Sequence, residues 1–167
     1  LECGIIYFKL INSILNQKNV KREIIILIGN DNSTDTSLHI LKSFTANKNI
    51  KVHHLNFNTS YKTRNYLLNY TRLHFPNCVL IGRLDCDDYL YNNTVLSAVE
   101  KIFEATNCDV LIAGNKQGKN NVILKGANKA DKRLLNNTYL KSRLYNVSIG
   151  KAEAELPSCN TFIKPSV

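Results

Sequence analysis

The chain has 167 residues and carries 22 lysines and arginines against 13 aspartates and glutamates, a net charge of +9. With 44% hydrophobic and 21% charged residues, its composition is that of a folded domain, which excludes intrinsic disorder for most of its length. Its longest apolar run, Ile24 to Ile28, is far shorter than the roughly 20 residues of a membrane-spanning helix. The five cysteines form no CxxC pair, so we expect free thiols in a reducing compartment and a cytoplasmic location.

The apolar residues alternate between helical and strand spacing along the chain. The first predicted elements are a helix over 5–17, a buried strand over 23–29, a polar turn over 30–35 and a helix ending near 44. A strand over 50–55, a polar loop over 56–60 and a helix over 62–74 follow. The last are a buried strand over 78–82, an acidic turn over 83–88, a helix that follows Thr94 and a strand over 109–113. Residues 115–151 lose this periodicity and are predicted to be irregular.

This order of elements predicts an α/β fold. Strands that alternate with helices form a mostly parallel, Rossmann-like central sheet flanked by helices, and ligands bind beyond the carboxyl ends of its strands. The polar turns over 30–35 and 83–88 would lie at that edge. Because no linker interrupts the pattern, residues 1–167 are treated as a single domain.

Three carboxylates crowd the second of these turns. Asp85, Asp87 and Asp88 lie within four residues, so they repel one another unless a cation or a hydrogen-bonded backbone compensates. Carboxylates suit Mg²⁺ or Mn²⁺, which usually bind one or two of them together with substrate phosphates. The alternative is an ordinary turn, because Asp is a common turn and N-cap residue, and the same alternative applies to residues 30–35. Taken together, the two turns are expected to converge on one crevice.

Four motifs in this chain resemble those of the GT-A fold glycosyltransferases of family 2. They are Ser13-Ile14-Leu15-Asn16-Gln17, the strand that leads to Asn30-Asp31-Asn32-Ser33-Thr34-Asp35, Thr63-Arg64-Asn65, and Leu84-Asp85-Cys86-Asp87-Asp88. Their order and spacing match the family over about residues 8–115. Residues 156–163 resemble, more loosely, the strand that lines the acceptor side.

The resemblance implies a role for each acidic residue. Asp31 would hydrogen-bond the nucleobase, usually uracil, and Asp85 would contact the ribose or the diphosphate. Asp87 would bind the metal, Mn²⁺ or Mg²⁺, and Asp88 would share or take that role. Arg64 would face the nucleotide pocket, where its charge offsets the diphosphate; its alternative is a solvated helix arginine.

The chain departs from the family pattern at three places. Asn30 stands where the family has an acid, and Asn58 and Thr59 stand where it usually has glycines. The resemblance also implies a first strand before Leu1 and an acidic general base beyond Val167, so the chain is expected to be truncated at both ends. The resemblance further implies that the domain has a nucleotide-sugar-binding part over about 5–115 and an irregular, acceptor-side part over about 116–167.

The function implied is a metal-dependent, inverting glycosyltransferase of hexosyl- or N-acetylhexosaminyltransferase type. It would move a sugar from a nucleotide-diphospho sugar, expected to be UDP-linked, to a saccharide, lipid or other hydroxyl acceptor in polysaccharide biosynthesis. The basic residues between Lys116 and Arg143 form either a solvated face or a site for anionic lipid or phosphate, the latter implying peripheral association with a membrane.

Two alternatives remain open at this point. The first is a noncatalytic remnant that binds nucleotide sugars. The second is a basic nucleic-acid-binding domain, for which Tyr139 and Tyr145 are the candidate stacking residues; no nucleic-acid partner is expected.

Overall fold

The computed structural model describes residues 3–113, 117–119, 122–125, 138 and 161–166. The helices are α1 (Cys3–Leu15), α2 (Ser37–Phe44), α3 (Ser60–His74) and α4 (Val95–Thr106). The strands are β1 (Ile26–Asp31), β2 (Ile50–Leu55), β3 (Ile81–Gly82), β4 (Val110–Ile112), β5 (Gln117–Lys119), β6 (Val122–Lys125) and β7 (Thr161–Ile163).

Strands β1 and β2 form a parallel pair with helices on both faces. Because side chains alternate along a strand, Ile26 of β1 packs on one face, in a core with Ile11 of α1 and Leu41 of α2. On the other face, a Cβ added at Gly29 would lie 2.5 Å from Thr63 Cγ2, so only glycine allows α3 to approach this closely. β1 is therefore buried on both faces, as its apolar sequence predicts.

A second sheet has the order β3-β7-β4. β7 runs antiparallel to both neighbours, so β3 and β4 run in the same direction. Phe162 of β7 is buried against Val99 and Phe103 of α4 in a second core. Together the two sheets and their flanking helices make the predicted Rossmann-like α/β architecture.

Most predicted elements are confirmed, and three differ from the structure. β1 starts later than predicted and continues to Asp31, because Asn30 and Asp31 extend the pairing with β2. The strand predicted over 78–82 is reduced to Ile81–Gly82, since the Cys78 N–H donates to the Phe75 carbonyl in a turn and β3 pairs only with the short β7 among the described residues. The stretch predicted to be irregular contains the antiparallel pair β5–β6.

Among the helices that the structure describes, none is long and apolar enough to cross a membrane. Most of the basic region from Lys116 to Arg143, and both Tyr139 and Tyr145, lie outside the described residues.

Candidate functional site

A cleft of about 1800 Å³ brings together four of the five predicted site residues. Asp31 at the end of β1, Arg64 in α3, and Asp85 and Asp87 after β3 all line it. Asp88 is half-buried in the same turn and does not line the cleft. The two polar turns thus reach one crevice, as the α/β topology predicts.

Asp31 is held by the loop that leads into α3. Its Oδ1 accepts hydrogen bonds from the backbone N–H of Phe57 at 2.6 Å and of Asn58 at 3.0 Å, and its Oδ2 accepts one from Thr59 at 2.9 Å. Burial acts to raise the pKa of this carboxyl, but these backbone hydrogen bonds outweigh it and hold the pKa below its ordinary value. Asp31 is therefore ionised at neutral pH and fixes the start of α3.

Asp85 is shared by two arginines. Its Oδ1 lies 3.2 Å from Arg64 Nη2 and 3.0 Å from Arg83 Nη2, and Arg83 Nη2 is also 3.4 Å from Oδ2. All three side chains are partly exposed, at 41% for Arg64, 29% for Arg83 and 36% for Asp85. Two guanidinium groups thus share one carboxylate.

The acidic turn leaves its other two carboxylates available. The Asp88 N–H donates to the Asp85 carbonyl at 3.1 Å, which closes a tight turn with Cys86 and Asp87 at its tip. Among the described residues, the Asp87 and Asp88 carboxylates take part in no hydrogen bond or ion pair. No three His, Cys, Asp or Glu side chains of the described ranges form a metal-binding group. One or two free carboxylates do fit a Mg²⁺ or Mn²⁺ ion that completes its shell with phosphate and water.

Ser13 and Gln17 make hydrogen bonds to the segment that follows this turn. Ser13 Oγ accepts a hydrogen bond from the Leu90 N–H at 3.0 Å. Gln17 Nε2 donates to the Asn92 carbonyl at 2.6 Å, and its Oε1 accepts from the Leu96 N–H at 2.9 Å. The end of α1 thereby fixes the segment between the acidic turn and α4.

A further carboxylate lines the cleft near the amino-terminal end of β1. Glu100 of α4 is 6% exposed; its Oε2 accepts a hydrogen bond from the Lys21 N–H at 3.0 Å, and its Oε1 lies 3.3 Å from Arg22 Nη1. Glu104, one turn later, pairs with the Lys21 ammonium at 2.7 Å and with Arg22 at 3.4 Å. This network joins α4 to the segment before β1.

Sequence reasoning missed two features of the site. Arg83 precedes Asp85 by two residues at the end of a strand, and the alternation of side chains would have placed both on one side. Asn58, which replaces a family glycine, has φ of 53°, in the left-handed region that Asn tolerates better than most residues. The loop around Asp31 therefore keeps a glycine-like backbone without a glycine.

The chain is an α/β protein whose cleft is lined by carboxylate and arginine side chains, and the comparison with known proteins gives its family. The family model for glycosyl transferase family 2 matches residues 9–162, so the chain belongs to that family. No curated protein sequence gives a match.

Solved structures of S. aureus TarS resemble the chain in fold. TarS 1–349 in complex with UDP-GlcNAc has a TM-score of 0.68 and TarS 1–349 in complex with UDP has 0.65, both at 20% sequence identity. The matches cover 99% of this chain and 43% and 44% of those chains, so the chain spans less than half of their length. They confirm the predicted GT-A fold.

Proposed function

We propose that this chain binds the donor of a glycosyltransferase reaction, a nucleotide-diphospho sugar with UDP as the nucleotide. The observation that carries the proposal is the convergence of Asp31, Arg64, Asp85 and Asp87 on one cleft in a family 2 chain. The UDP and UDP-GlcNAc of the TarS complexes support UDP as the first nucleotide to test.

The acidic turn is the proposed metal site. Asp87, exposed and without a partner among the described residues, would hold Mn²⁺ or Mg²⁺, with Asp88 next to it as a second ligand. A divalent cation there would neutralise charge on the departing diphosphate. Arg64 would bind the same diphosphate as a permanent cation, and Asp31 would orient the nucleobase from the loop that it fixes.

The reaction we propose is inverting transfer of a hexosyl or N-acetylhexosaminyl group to a hydroxyl of a saccharide or lipid-linked acceptor, in polysaccharide synthesis at the cytoplasmic face of a membrane. A general base must take the acceptor proton, and we assign it to no residue of this chain. Without an acceptor, the chain would release UDP slowly by transfer of the sugar to water.

UDP release from a panel of UDP-sugars tests the proposal. We expect slow release with Mn²⁺ or Mg²⁺ and none with chelator, and Asp87→Ala and Asp88→Ala together should abolish it. Lys48→Gln, an exposed change outside the cleft lining, is the control and should release UDP as the wild type does. Release that does not depend on metal would contradict the metal site. Metal-dependent UDP binding without release from any sugar would instead favour the noncatalytic binding remnant.

A further inference from the structure

We propose that Arg83 binds the diphosphate of the donor directly, as the second member of an arginine pair that Asp85 holds in place. The inference rests on the proposed function, because it assigns a residue to the diphosphate of the same donor. Neither the turn motif nor the family resemblance singled out Arg83.

Arg83 lies next to Arg64 in the cleft. The Arg83 N–H donates to the Thr161 carbonyl at 3.2 Å, which extends the β3–β7 pairing and fixes the backbone of this residue. Its side chain lines the cleft and reaches the same Oδ1 atom of Asp85 that Arg64 contacts from α3. One carboxylate thus brings together two guanidinium groups from different elements of the fold.

Arg83 and Arg64 together have more hydrogen-bond donors than Asp85 can accept from. Each guanidinium carries five N–H donors, and Asp85 cannot accept from most of the ten. Guanidinium groups with unpaired planar donors are the features that recognise a phosphate group.

Asp85 holds both arginine side chains in place before a ligand binds. Arginine side chains lose rotamer freedom when they bind a ligand, and this loss reduces affinity. Because Asp85 restrains Arg83 and Arg64 before the ligand arrives, part of that entropy is already lost in the free protein. A diphosphate can then accept hydrogen bonds from the guanidinium N–H groups of Arg83 and Arg64 that Asp85 does not use.

The test is calorimetric titration of the chain with UDP and with uridine in excess Mn²⁺. Arg83→Gln should weaken UDP binding by about tenfold or more, the effect of losing a charge-assisted hydrogen bond, and should change uridine binding by less than about twofold. Lys62→Gln removes the same charge from an exposed α3 position outside the cleft lining, and should leave both ligands within about twofold of wild type.

The same loss must persist when Asp85 is neutral. If Arg83 contacts the phosphate, Arg83→Gln added to Asp85→Asn weakens UDP binding by a similar factor. If Arg83 acts only by neutralising Asp85, the loss disappears in the Asp85→Asn background, and the inference is overturned. Should circular dichroism show that Arg83→Gln is unfolded, Arg83→Lys replaces it. That variant keeps the positive charge but lacks the planar guanidinium group, so we expect several-fold weaker UDP binding. Unchanged UDP binding would overturn the inference.

The two levels of the account can fail separately. A wild-type chain that binds no UDP with metal removes the proposed donor, and the inference with it. A wild-type chain that binds UDP, with Arg83→Gln binding it equally well, removes only the role of Arg83.

Discussion

The cleft contains two carboxylates that each pair with arginine, and the protein uses them differently. Near the amino-terminal end of β1, the Glu100 side chain is 7% exposed and joins α4 to Arg22 and to the Lys21 backbone. In the turn that follows β3, the Asp85 side chain is 36% exposed and lies between Arg64 and Arg83. The residue types and the distances are similar, but the access of water and ligand is not.

This difference in exposure separates structural from ligand-binding charge. A buried carboxylate must keep its partners, because an unpaired charge costs several kcal/mol in a protein interior. A partly exposed pair contributes little to stability, since water and salt screen it, and its remaining donors stay accessible to a ligand. Glu100 is therefore expected to hold the fold, and Asp85 with its arginines to serve the donor.

The largest effect on stability is expected from Glu100→Ala. The change removes the acceptor of the Lys21 N–H and the buried partner of Arg22, which should lower the free energy of unfolding by about 2 to 3 kcal/mol. UDP affinity should change by less than about twofold in the folded fraction. Urea denaturation and calorimetry measure the two quantities. Glu104→Ala removes a more exposed partner of Arg22 and of the Lys21 ammonium, and should cost much less stability. Equal losses would show that burial does not decide the difference.

Gln17→Ala tests the support behind the acidic turn. The substitution removes hydrogen bonds to the Asn92 carbonyl and from the Leu96 N–H, so stability should fall by about 1 to 2 kcal/mol. Because the acidic turn precedes this segment, metal-dependent UDP binding should weaken as well. Asn16→Ala, at an exposed neighbouring position, should resemble wild type in both measurements. Reduced stability with unchanged UDP affinity would show that Gln17 supports α4 alone.

Asp31→Ala should affect stability and ligand binding together. The N–H groups of Phe57, Asn58 and Thr59 lose their acceptor, so the melting temperature should fall and UDP should bind about tenfold more weakly. Asp31→Asn should be intermediate, and Thr34→Ala, exposed in the same turn, should be neutral. A variant with the wild-type melting temperature and weak UDP binding would assign Asp31 to the nucleobase alone.

The smallest effect is expected from His53, a half-buried imidazole in β2 that has no carboxylate partner among the described residues. Burial lowers its pKa from the ordinary value of 6.5, and Lys51, His74 and His54 lower it further. The unfolded chain then takes up the proton more readily, so stability should fall as the pH drops through 6.5 and level off below the folded pKa.

The pH dependence of the melting temperature measures this contribution. His53→Phe should flatten the decrease between about pH 7.5 and pH 5.5, and His39→Gln, on the exposed side of α2, should not. An unchanged slope in His53→Phe would mean that other groups produce it.

The sequence predicts the fold well where burial alternates regularly. The boundaries of β2 are as expected, and Asp31, Arg64, Asp85 and Asp87 reach the cleft because their motifs follow strand ends or begin a helix. The order and spacing of the four motifs indicate family 2, although no single motif would do so.

The features that sequence missed depend on partners far away in the chain. The length of β3 is decided by β7, about eighty residues later, and the partners of Asp31 lie in the loop before α3. The structural role of Glu100 comes from two residues that precede β1. The spacing of apolar residues does not indicate such long-range contacts. The position of Arg83, two residues before Asp85, could however have predicted that the two side chains lie on the same side of the strand.

The most direct test of the central claim is a calorimetric titration of the chain with UDP, with Mn²⁺ and then with chelator. We predict binding only with the metal, and loss of that binding when Asp87→Ala and Asp88→Ala are combined, with circular dichroism unchanged. Equal binding in chelator, or full binding by the double variant, would contradict the claim that the acidic turn holds a metal-bound nucleotide diphosphate.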